Sequence, residues 1–129
     1  DWSGPPRMKA IGWRGELDAA CAEGWVASGV SGLLIDAYAP VEKGGTGRVA
    51  RWDLLVPRPP SFGSTPLILA GGLRPGNVAK AIEAVKPDAV DTASGVEIAP
   101  GRKDPGKLAA FIQEATAASA ETRFAAREG

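Results

Sequence analysis

The chain has 129 residues, with 15 basic and 15 acidic side chains, one cysteine and no histidine. This composition is typical of a single soluble α/β domain, and the balanced charge gives no indication of binding to nucleic acid or to a membrane surface. Lack of histidine excludes the usual zinc sites and a Ser-His-Asp triad, and one cysteine excludes an internal disulfide. No apolar run is long enough to span a bilayer and no signal-peptide pattern is present, so the sequence predicts a cytoplasmic protein.

Four short apolar segments have the composition of buried strands: residues 8–12, 32–35, 66–70 and 89–93. Helical patterns alternate with them, which predicts βαβ units and a parallel sheet. Ligands of such sheets bind beyond the carboxyl ends of the strands, so functional residues are expected in the loops that follow. Residues 1–7 are interpreted as a tail or an interrupted connection, residues 8–118 as the folded unit and residues 119–129 as a C-terminal tail or frayed helix.

Helices are predicted over residues 15–27, from Val78 to a stop before Pro87, and after Asp104 and Pro105, with a short helical patch over residues 48–55. In the first helix an apolar stripe recurs every four residues, and it consists of Leu17, Cys21 and Trp25. Cys21 is therefore interpreted as a small buried hydrophobe rather than a nucleophile. The inner face expected for the last helix consists of Leu108, Phe111, Ile112 and Ala115.

Polar and glycine residues follow three of the strands directly. Asp36 ends the second strand, where an acid projects into the mouth of a site. Gly71-Gly72 follows the third strand, and Asp91 lies near the end of the fourth, before Ser94-Gly95-Val96. Glycine loops of this kind let backbone amides approach an anion, and Gly45 and Gly47, in the polar segment after Asp36, have the same property.

Two architectures fit alternating strands and helices. An open doubly wound sheet is possible, but the Gly-x-Gly-x-x-Gly fingerprint after the first strand is absent. A (β/α)₈ barrel fits the strand ends better, although such barrels need roughly 200 residues or more. The chain is then about half of a TIM-type barrel.

Several motifs in the chain together resemble the C-terminal half of the phosphoribosylanthranilate isomerase family of tryptophan biosynthesis. The resemblance covers roughly residues 8–116, and six motifs in the right order make coincidence a poor explanation. They are Leu34-Ile35-Asp36, Gly44-Gly45-Thr46-Gly47, Leu69-Ala70-Gly71-Gly72-Leu73, Pro75 with Asn77-Val78, Val90-Asp91 with Ser94-Gly95-Val96-Glu97, and Pro100-Gly101 with Lys103-Asp104. The four strands then correspond to the fifth to eighth strands of the barrel.

The resemblance implies an Amadori rearrangement of N-(5-phosphoribosyl)anthranilate, which needs one acid, one base and neither metal nor cofactor. Asp36 matches the family's acid. The family's base is a cysteine after the first strand, which this chain lacks, and Cys21 does not match it. Phosphate and substrate contacts are expected from the glycine-rich loops and from Asp91, which is similar to the family's acid near the ribose hydroxyls. The loop residues are Gly45, Gly47, Gly71, Gly72, Ser94, Gly95 and Val96.

Three interpretations stay open at this point. The chain is half of the isomerase, or a non-catalytic phosphate-binding half barrel, or a relative of indole-glycerol-phosphate synthase. The phosphate loops of that synthase are similar to those of the isomerase. Open strand edges predict that it pairs with an N-terminal half barrel or with a second copy of itself, and that it is inactive alone.

Overall fold

The computed structural model describes residues 4–40 and 48–128. The strands are β1 (Met8–Gly12), β2 (Gly32–Asp36), β3 (Tyr38–Pro40), β4 (Arg48–Ala50), β5 (Leu67–Ala70), β6 (Ala89–Val90), β7 (Glu97–Ala99) and β8 (Arg102–Lys103). The helices are α1 (Ala19–Ala27), α2 (Val78–Val85) and α3 (Pro105–Glu128). Short 3-10 turns lie at Glu16–Asp18, Trp52–Leu55, Pro60–Phe62 and Ser94–Val96. Among the described residues, no helix is long and apolar enough to cross a membrane.

Four parallel strands form the main sheet in the order β1-β2-β5-β6. The strands are neighbours in the order in which the chain reaches them, as the alternating pattern predicts, and the parallel α/β architecture is confirmed. The strand register aligns Gly12, Asp36 and Ala70 in one row across β1, β2 and β5. A second row, two residues earlier, contains Ala10, Leu34, Ile68 and Ala89.

The two faces of this sheet differ in burial. Because side chains alternate along a strand, Leu33, Ile35, Leu67 and Leu69 share one face, and all four are fully buried. They pack in one core with Val78 and other residues of α2. The opposite face carries both aligned rows and is more open: Met8 is 55% exposed, and Leu34 and Ile68 are half-buried. Helices therefore cover the sheet on one side only in the described part of the chain.

The predicted apolar face of the first helix is wrong. Leu17 is 80% exposed and Cys21 is exposed, whereas Ala22 is fully buried and Trp25 is half-buried against the core. The α-helix begins only at Ala19, after a 3-10 turn, so Leu17 does not share its geometry. Cys21 is therefore not the buried core residue that the spacing predicted.

Three smaller differences concern the second half of the chain. Residues 48–55 form strand β4 and a 3-10 turn, instead of one helical patch. The fourth parallel strand is shorter than predicted, and the loop after it contains a hairpin of β7 and β8. On α3, Phe111 and Ala118 are buried and Ala115 packs against the core, but Leu108 and Ile112 are exposed. Helix α3 continues to Glu128, and the proposed domain limits stay a prediction.

Candidate active site

The carboxyl ends of the four parallel strands line one open cleft of about 500 Å³. Gly12 comes from β1, Asp36 from β2, and Ala70 with Gly71 from the end of β5. The loop after β6 completes the lining with Asp91 and its neighbours, including Ser94. Parallel strands present their carboxyl ends at the same edge of the sheet, which is why residues distant in sequence meet here.

Asp36 is the last residue of β2 and is half-buried in this cleft. Its backbone oxygen accepts a hydrogen bond from the amide of Trp13 at 2.7 Å, which joins the strand end to the loop after β1. Its carboxylate lies against the α-carbon of Gly71, where a Cβ would overlap Asp36 Oδ1. Gly71 also has φ +91°, which disfavours other residues, so glycine at this position is needed for both space and conformation.

The loops after β5 and β6 are held together by direct contacts. Thr92 Oγ1 donates to the backbone oxygen of Leu73 at 2.6 Å. Gly95 packs on the same carbonyl, and a Cβ at this position would collide with it. On the β5 side, Asn77 Nδ2 donates to the backbone oxygen of Gly72 at 2.9 Å and Asn77 Oδ1 accepts from the amide of Arg74 at 2.8 Å. These contacts fix the Gly71-Gly72 loop relative to the Ser94–Val96 turn.

The Ser94–Val96 turn presents backbone amides at the edge of the cleft. The amide of Val96 donates to Ala93 O at 3.3 Å, which makes Ser94 and Gly95 the first two amides of the turn, ahead of its first internal hydrogen bond. The Val96 side chain is buried, which anchors the turn in the core. Val96 therefore contributes packing and its amide is engaged within the turn, whereas the amides of Ser94 and Gly95 lie ahead of that hydrogen bond.

Two lysines secure the same turn from its outer side. Lys103 Nζ donates to Ala93 O at 3.1 Å and to Glu97 Oε2 at 3.2 Å. Lys107 Nζ donates to the backbone oxygen of Glu97 at 3.2 Å. Because the Glu97 carboxylate offsets the charge of Lys103, these contacts mainly fix the geometry of the turn.

A second acid stands two strands away from Asp36. Asp91 follows β6 directly, is exposed, and donates its amide to Leu69 O at 2.9 Å. Continuing the strand register places it in the row of Gly12, Asp36 and Ala70. Neighbouring strands are about 4.8 Å apart, so the backbones of Asp36 and Asp91 are roughly 10 Å apart, enough for a sugar-sized ligand to lie between them.

The loop after β1 is ordered by an acid that sequence analysis did not single out. Asp18 is buried and accepts hydrogen bonds from three Arg14 donors: the amide at 2.7 Å, Nε at 3.2 Å and Nη2 at 2.8 Å. The hydrogen bonds from the Arg14 guanidinium lower the pKa of Asp18. In the same region Trp13 packs edge-on against Phe62, with ring centroids 4.9 Å apart.

Most of the residues selected from the sequence thus meet in one place. Asp36, Gly71, Gly72, Asp91 and Ser94 line the cleft, and Gly95 and Val96 follow in the same turn. Gly45 and Gly47 lie outside the described residues.

Two further side chains differ in their relation to the cleft. The sequence analysis assigns no role to Thr92, whose hydroxyl joins the two loops, although its place directly after Asp91 was an available signal. Cys21, on α1, is not among the residues lining the cleft. Over residues 4–40 and 48–128, no group of three or more histidine, cysteine or acidic side chains is arranged to hold a metal ion.

Comparison with known proteins relates this geometry to one family. Residues 6–114 match the family model of N-(5'-phosphoribosyl)anthranilate (PRA) isomerase. The chain belongs to the PRA isomerase family. The chain is 49% identical over 115 residues to N-(5'-phosphoribosyl)anthranilate isomerase of Thiobacillus denitrificans, covering 88% of this chain and 53% of that relative.

Solved structures give the same result for the fold. Phosphoribosyl anthranilate isomerase from Thermotoga maritima superimposes with a TM-score of 0.68 and 39% identity, over 85% of this chain and 51% of that one. A structure of the isomerase in complex with reduced 1-(o-carboxyphenylamino)-1-deoxyribulose 5-phosphate gives a TM-score of 0.66 and 34% identity, over 85% of this chain and 48% of that one. The chain spans about half the length of the relatives it matches, and its sheet corresponds to half of their TIM barrel.

Proposed function

We propose that this chain supplies the acid-bearing and phosphate-binding half of a PRA isomerase and acts together with a complementary half barrel. The observation that carries this proposal is the single cleft in which Asp36 and the paired glycine loops after β5 and β6 meet. In barrel enzymes of this kind, the loops after the seventh and eighth strands hold phosphate and the strand ends hold the catalytic groups.

The phosphate group is assigned to the backbone amides of Gly72, Ser94 and Gly95, with Gly71 and Val96 shaping the two loops. Support comes from the contacts that hold the two loops together and from the amides of Ser94 and Gly95, which precede the first internal hydrogen bond of their turn. Gly45 and Gly47 are assigned further backbone contacts with substrate. A structure obtained with sulfate or phosphate should show the anion at these amides, and an anion elsewhere with these loops empty would overturn the assignment.

Asp36 is assigned the role of general acid. It donates a proton to the furanose ring oxygen while the bond from that oxygen to C1 breaks, which leaves an iminium between C1 and the anthranilate nitrogen. Removal of the C2 proton by a base then gives an enolamine, which tautomerises to the aminodeoxyribulose product. Partial burial and the close support of Gly71 hold the Asp36 carboxyl in position for this step. Asp91 is assigned contacts with the ribose hydroxyls.

The base is assigned to the half of the barrel that these residues do not match. The resemblance implies a cysteine after the first barrel strand, and exposed Cys21 on α1 lies away from the residues that line the cleft. A relative bound to a reduced product-like ligand supports a phosphorylated sugar-anthranilate as the substrate class. The proposed reaction uses no metal or cofactor, and a cytoplasmic setting is part of the same proposal. The family match argues against the synthase alternative.

Turnover of N-(5-phosphoribosyl)anthranilate, measured with the chain alone and after mixing, tests this function. The partner is the half of the Thiobacillus denitrificans isomerase that this chain does not match. We expect no turnover from either half and measurable turnover from the mixture. Turnover by the chain alone would contradict the half-barrel proposal. A mixture that associates and binds phosphate but does not turn over would instead support a non-catalytic phosphate-binding half barrel.

A further inference from the structure

A glutamate of α3 reaches the loop that follows β5. Glu114 Oε1 accepts a hydrogen bond from the backbone amide of Gly76 at 2.8 Å, across 38 positions of the sequence. Glu114 is half-buried, and α3, the helix that carries it, packs against α2. Because Glu114 is not among the residues that line the cleft with Asp36, none of the roles assigned so far includes it.

Gly76 lies in the turn that precedes α2, next to the residue that holds the loop. It has φ +99° and is followed by Asn77, whose side chain makes no capping bond to α2. The Asn77 side chain is directed back into the loop instead, where Nδ2 donates to Gly72 O at 2.9 Å and Oδ1 accepts from Arg74 N at 2.8 Å. A hydrogen bond that fixes Gly76 therefore also restricts the backbone from which Asn77 reaches Gly72.

Helix α3 is joined to the turn after β6 as well. The amide of Asp104, one residue before α3, donates to Val96 O at 2.7 Å, and Lys107 Nζ donates to Glu97 O at 3.2 Å. Lys107 and Glu114 are seven residues apart, which places them on one face of the helix, about two turns from each other. One helix thus contacts the loop after β5 and the turn after β6.

We propose that Glu114 is a positioning residue for the phosphate site, and that it acts on the Gly71-Gly72 loop through Asn77. This proposal rests on the proposed function, which assigns phosphate to the amides of that loop and of the turn after β6. Because α3 holds both segments, it fixes the spacing between the two groups of amides before an anion arrives. A site that is arranged in advance loses less free energy to ordering when it binds.

The negative charge of Glu114 makes this role distinguishable from an electrostatic one. A carboxylate near a phosphate site repels the anion, so loss of its charge alone should tighten phosphate binding. Loss of its hydrogen bond to Gly76 should loosen the loop and weaken phosphate binding. The two effects have opposite signs, and variants that separate the charge from the hydrogen bond decide between them.

Titration of the chain with inorganic phosphate compares three variants. Glu114→Ala removes both the charge and the acceptor, and the affinity should fall by roughly threefold or more. Glu114→Gln keeps a side-chain oxygen for the Gly76 amide and removes only the charge, so the affinity should equal or exceed that of the unmodified chain. Glu121→Ala, the control, removes a carboxylate from an exposed position about two turns further along α3 and should change the affinity by less than about twofold.

Two results of this titration would overturn the positioning role. One is unchanged or tighter phosphate binding by Glu114→Ala, which would leave only the repulsion by its charge. The other is a loss of affinity in Glu114→Gln as large as in Glu114→Ala, which would show that an acceptor at this position does not hold the loop.

Amide hydrogen exchange, measured by NMR, tests the link between α3 and the loop without any ligand. The amide of Arg74, which donates to Asn77 Oδ1, should exchange roughly threefold faster or more in Glu114→Ala and should return to the unmodified rate in Glu114→Gln. Equal exchange of this amide in Glu114→Ala and Glu121→Ala would contradict the link.

The two measurements separate this proposal from the proposed function. Faster exchange of the Arg74 amide in Glu114→Ala, with no phosphate binding by the unmodified chain, would support positioning of the loop by Glu114 and contradict the phosphate assignment. Phosphate binding that Glu114→Ala leaves unchanged would support the phosphate assignment and contradict the positioning role.

Discussion

The carboxylate of Asp36 lies against the α-carbon of Gly71, the first residue after the neighbouring strand β5. The two residues are 35 positions apart in sequence, and the parallel pairing of β2 with β5 brings them together. Any side chain at position 71 would have to displace the acid. The geometry of the proposed acid therefore depends on a residue that has no functional group of its own.

Gly71→Ala should reduce both stability and activity. The positive φ of Gly71 makes alanine unfavourable by about 1–2 kcal/mol, and the added methyl group pushes Asp36 from its position. In the reconstituted isomerase, a displacement of this kind should lower turnover by roughly 10²-fold. Thermal unfolding of the chain and turnover of the mixture measure the two effects.

Gly24→Ala is the control for that substitution. Gly24 lies on the exposed side of α1, and a Cβ there would meet no atom within 4 Å. Alanine in a helix should stabilise the chain by about 0.5–1 kcal/mol and leave turnover unchanged. Equal turnover of Gly71→Ala and Gly24→Ala would show that the contact with Gly71 does not position Asp36.

Thr92→Val should weaken phosphate binding. The substitution keeps the shape of the side chain but removes the hydrogen bond to Leu73 O, at a cost of about 1 kcal/mol. Because that bond joins the two proposed anion-binding loops, the affinity for inorganic phosphate should fall by roughly fivefold, as measured by titration of the chain. Thr65→Val, just before β5 and so at the opposite end of the sheet, should leave the affinity unchanged. Equal affinities in both variants would show that the loops bind phosphate independently of each other.

The contribution of Asp18 to stability should be lost at acidic pH. The folded pKa of Asp18 lies below its ordinary value of 3.8, because Arg14 donates hydrogen bonds to the ionised form. The unfolded chain therefore takes up the proton first, and the stabilisation is complete above about pH 5 and is lost as pH falls through the lowered pKa.

Asp18→Asn measures that contribution. Arg14 is largely exposed, so the charge attraction is screened, and the loss at neutral pH should be about 1 kcal/mol, mainly from weaker hydrogen bonding. The free energy of unfolding of the unmodified chain and of Asp18→Asn should be measured as a function of pH. The difference between the two should shrink below pH 4. If the difference in free energy of unfolding stayed constant down to the pH at which the protein unfolds in acid, this role of Asp18 would be contradicted.

Sequence patterns predicted the elements whose signals are local. Each parallel strand was found because an apolar run ends at a glycine or an acid, and the first strand has the predicted limits, Met8–Gly12. The start of α3 was also predicted, since Asp104 Oδ1 accepts from the amide of Gly106 at 2.9 Å, ahead of the first turn. The site followed from these strand ends, because parallel pairing brings them to one edge.

Side-chain burial was harder to predict, because apolar spacing does not show which surfaces the chain itself can cover. Ile112, on α3, is 56% exposed, and Met8 extends from the open face of the sheet. Exposed apolar side chains of this kind have no partner within the sheet or the helices that the structure describes, so spacing alone predicted burial that the described residues do not provide. The interaction between Asp18 and Arg14 was not predicted for a different reason. Apolar patterns predict which apolar side chains are buried, and they do not indicate that an acidic side chain is buried among them.

Turnover by the reconstituted isomerase, compared between the unmodified chain and Asp36→Asn, tests the central claim most directly. Asparagine keeps the shape of the side chain but cannot supply the proton, so turnover should fall by roughly 10²-fold or more while phosphate affinity stays nearly unchanged. Cys21→Ser, on the exposed side of α1, is the control and should turn over as the unmodified chain does. Full turnover with Asp36→Asn, or loss of turnover with a folded Cys21→Ser, would contradict the assignment of Asp36 as the acid of this half barrel.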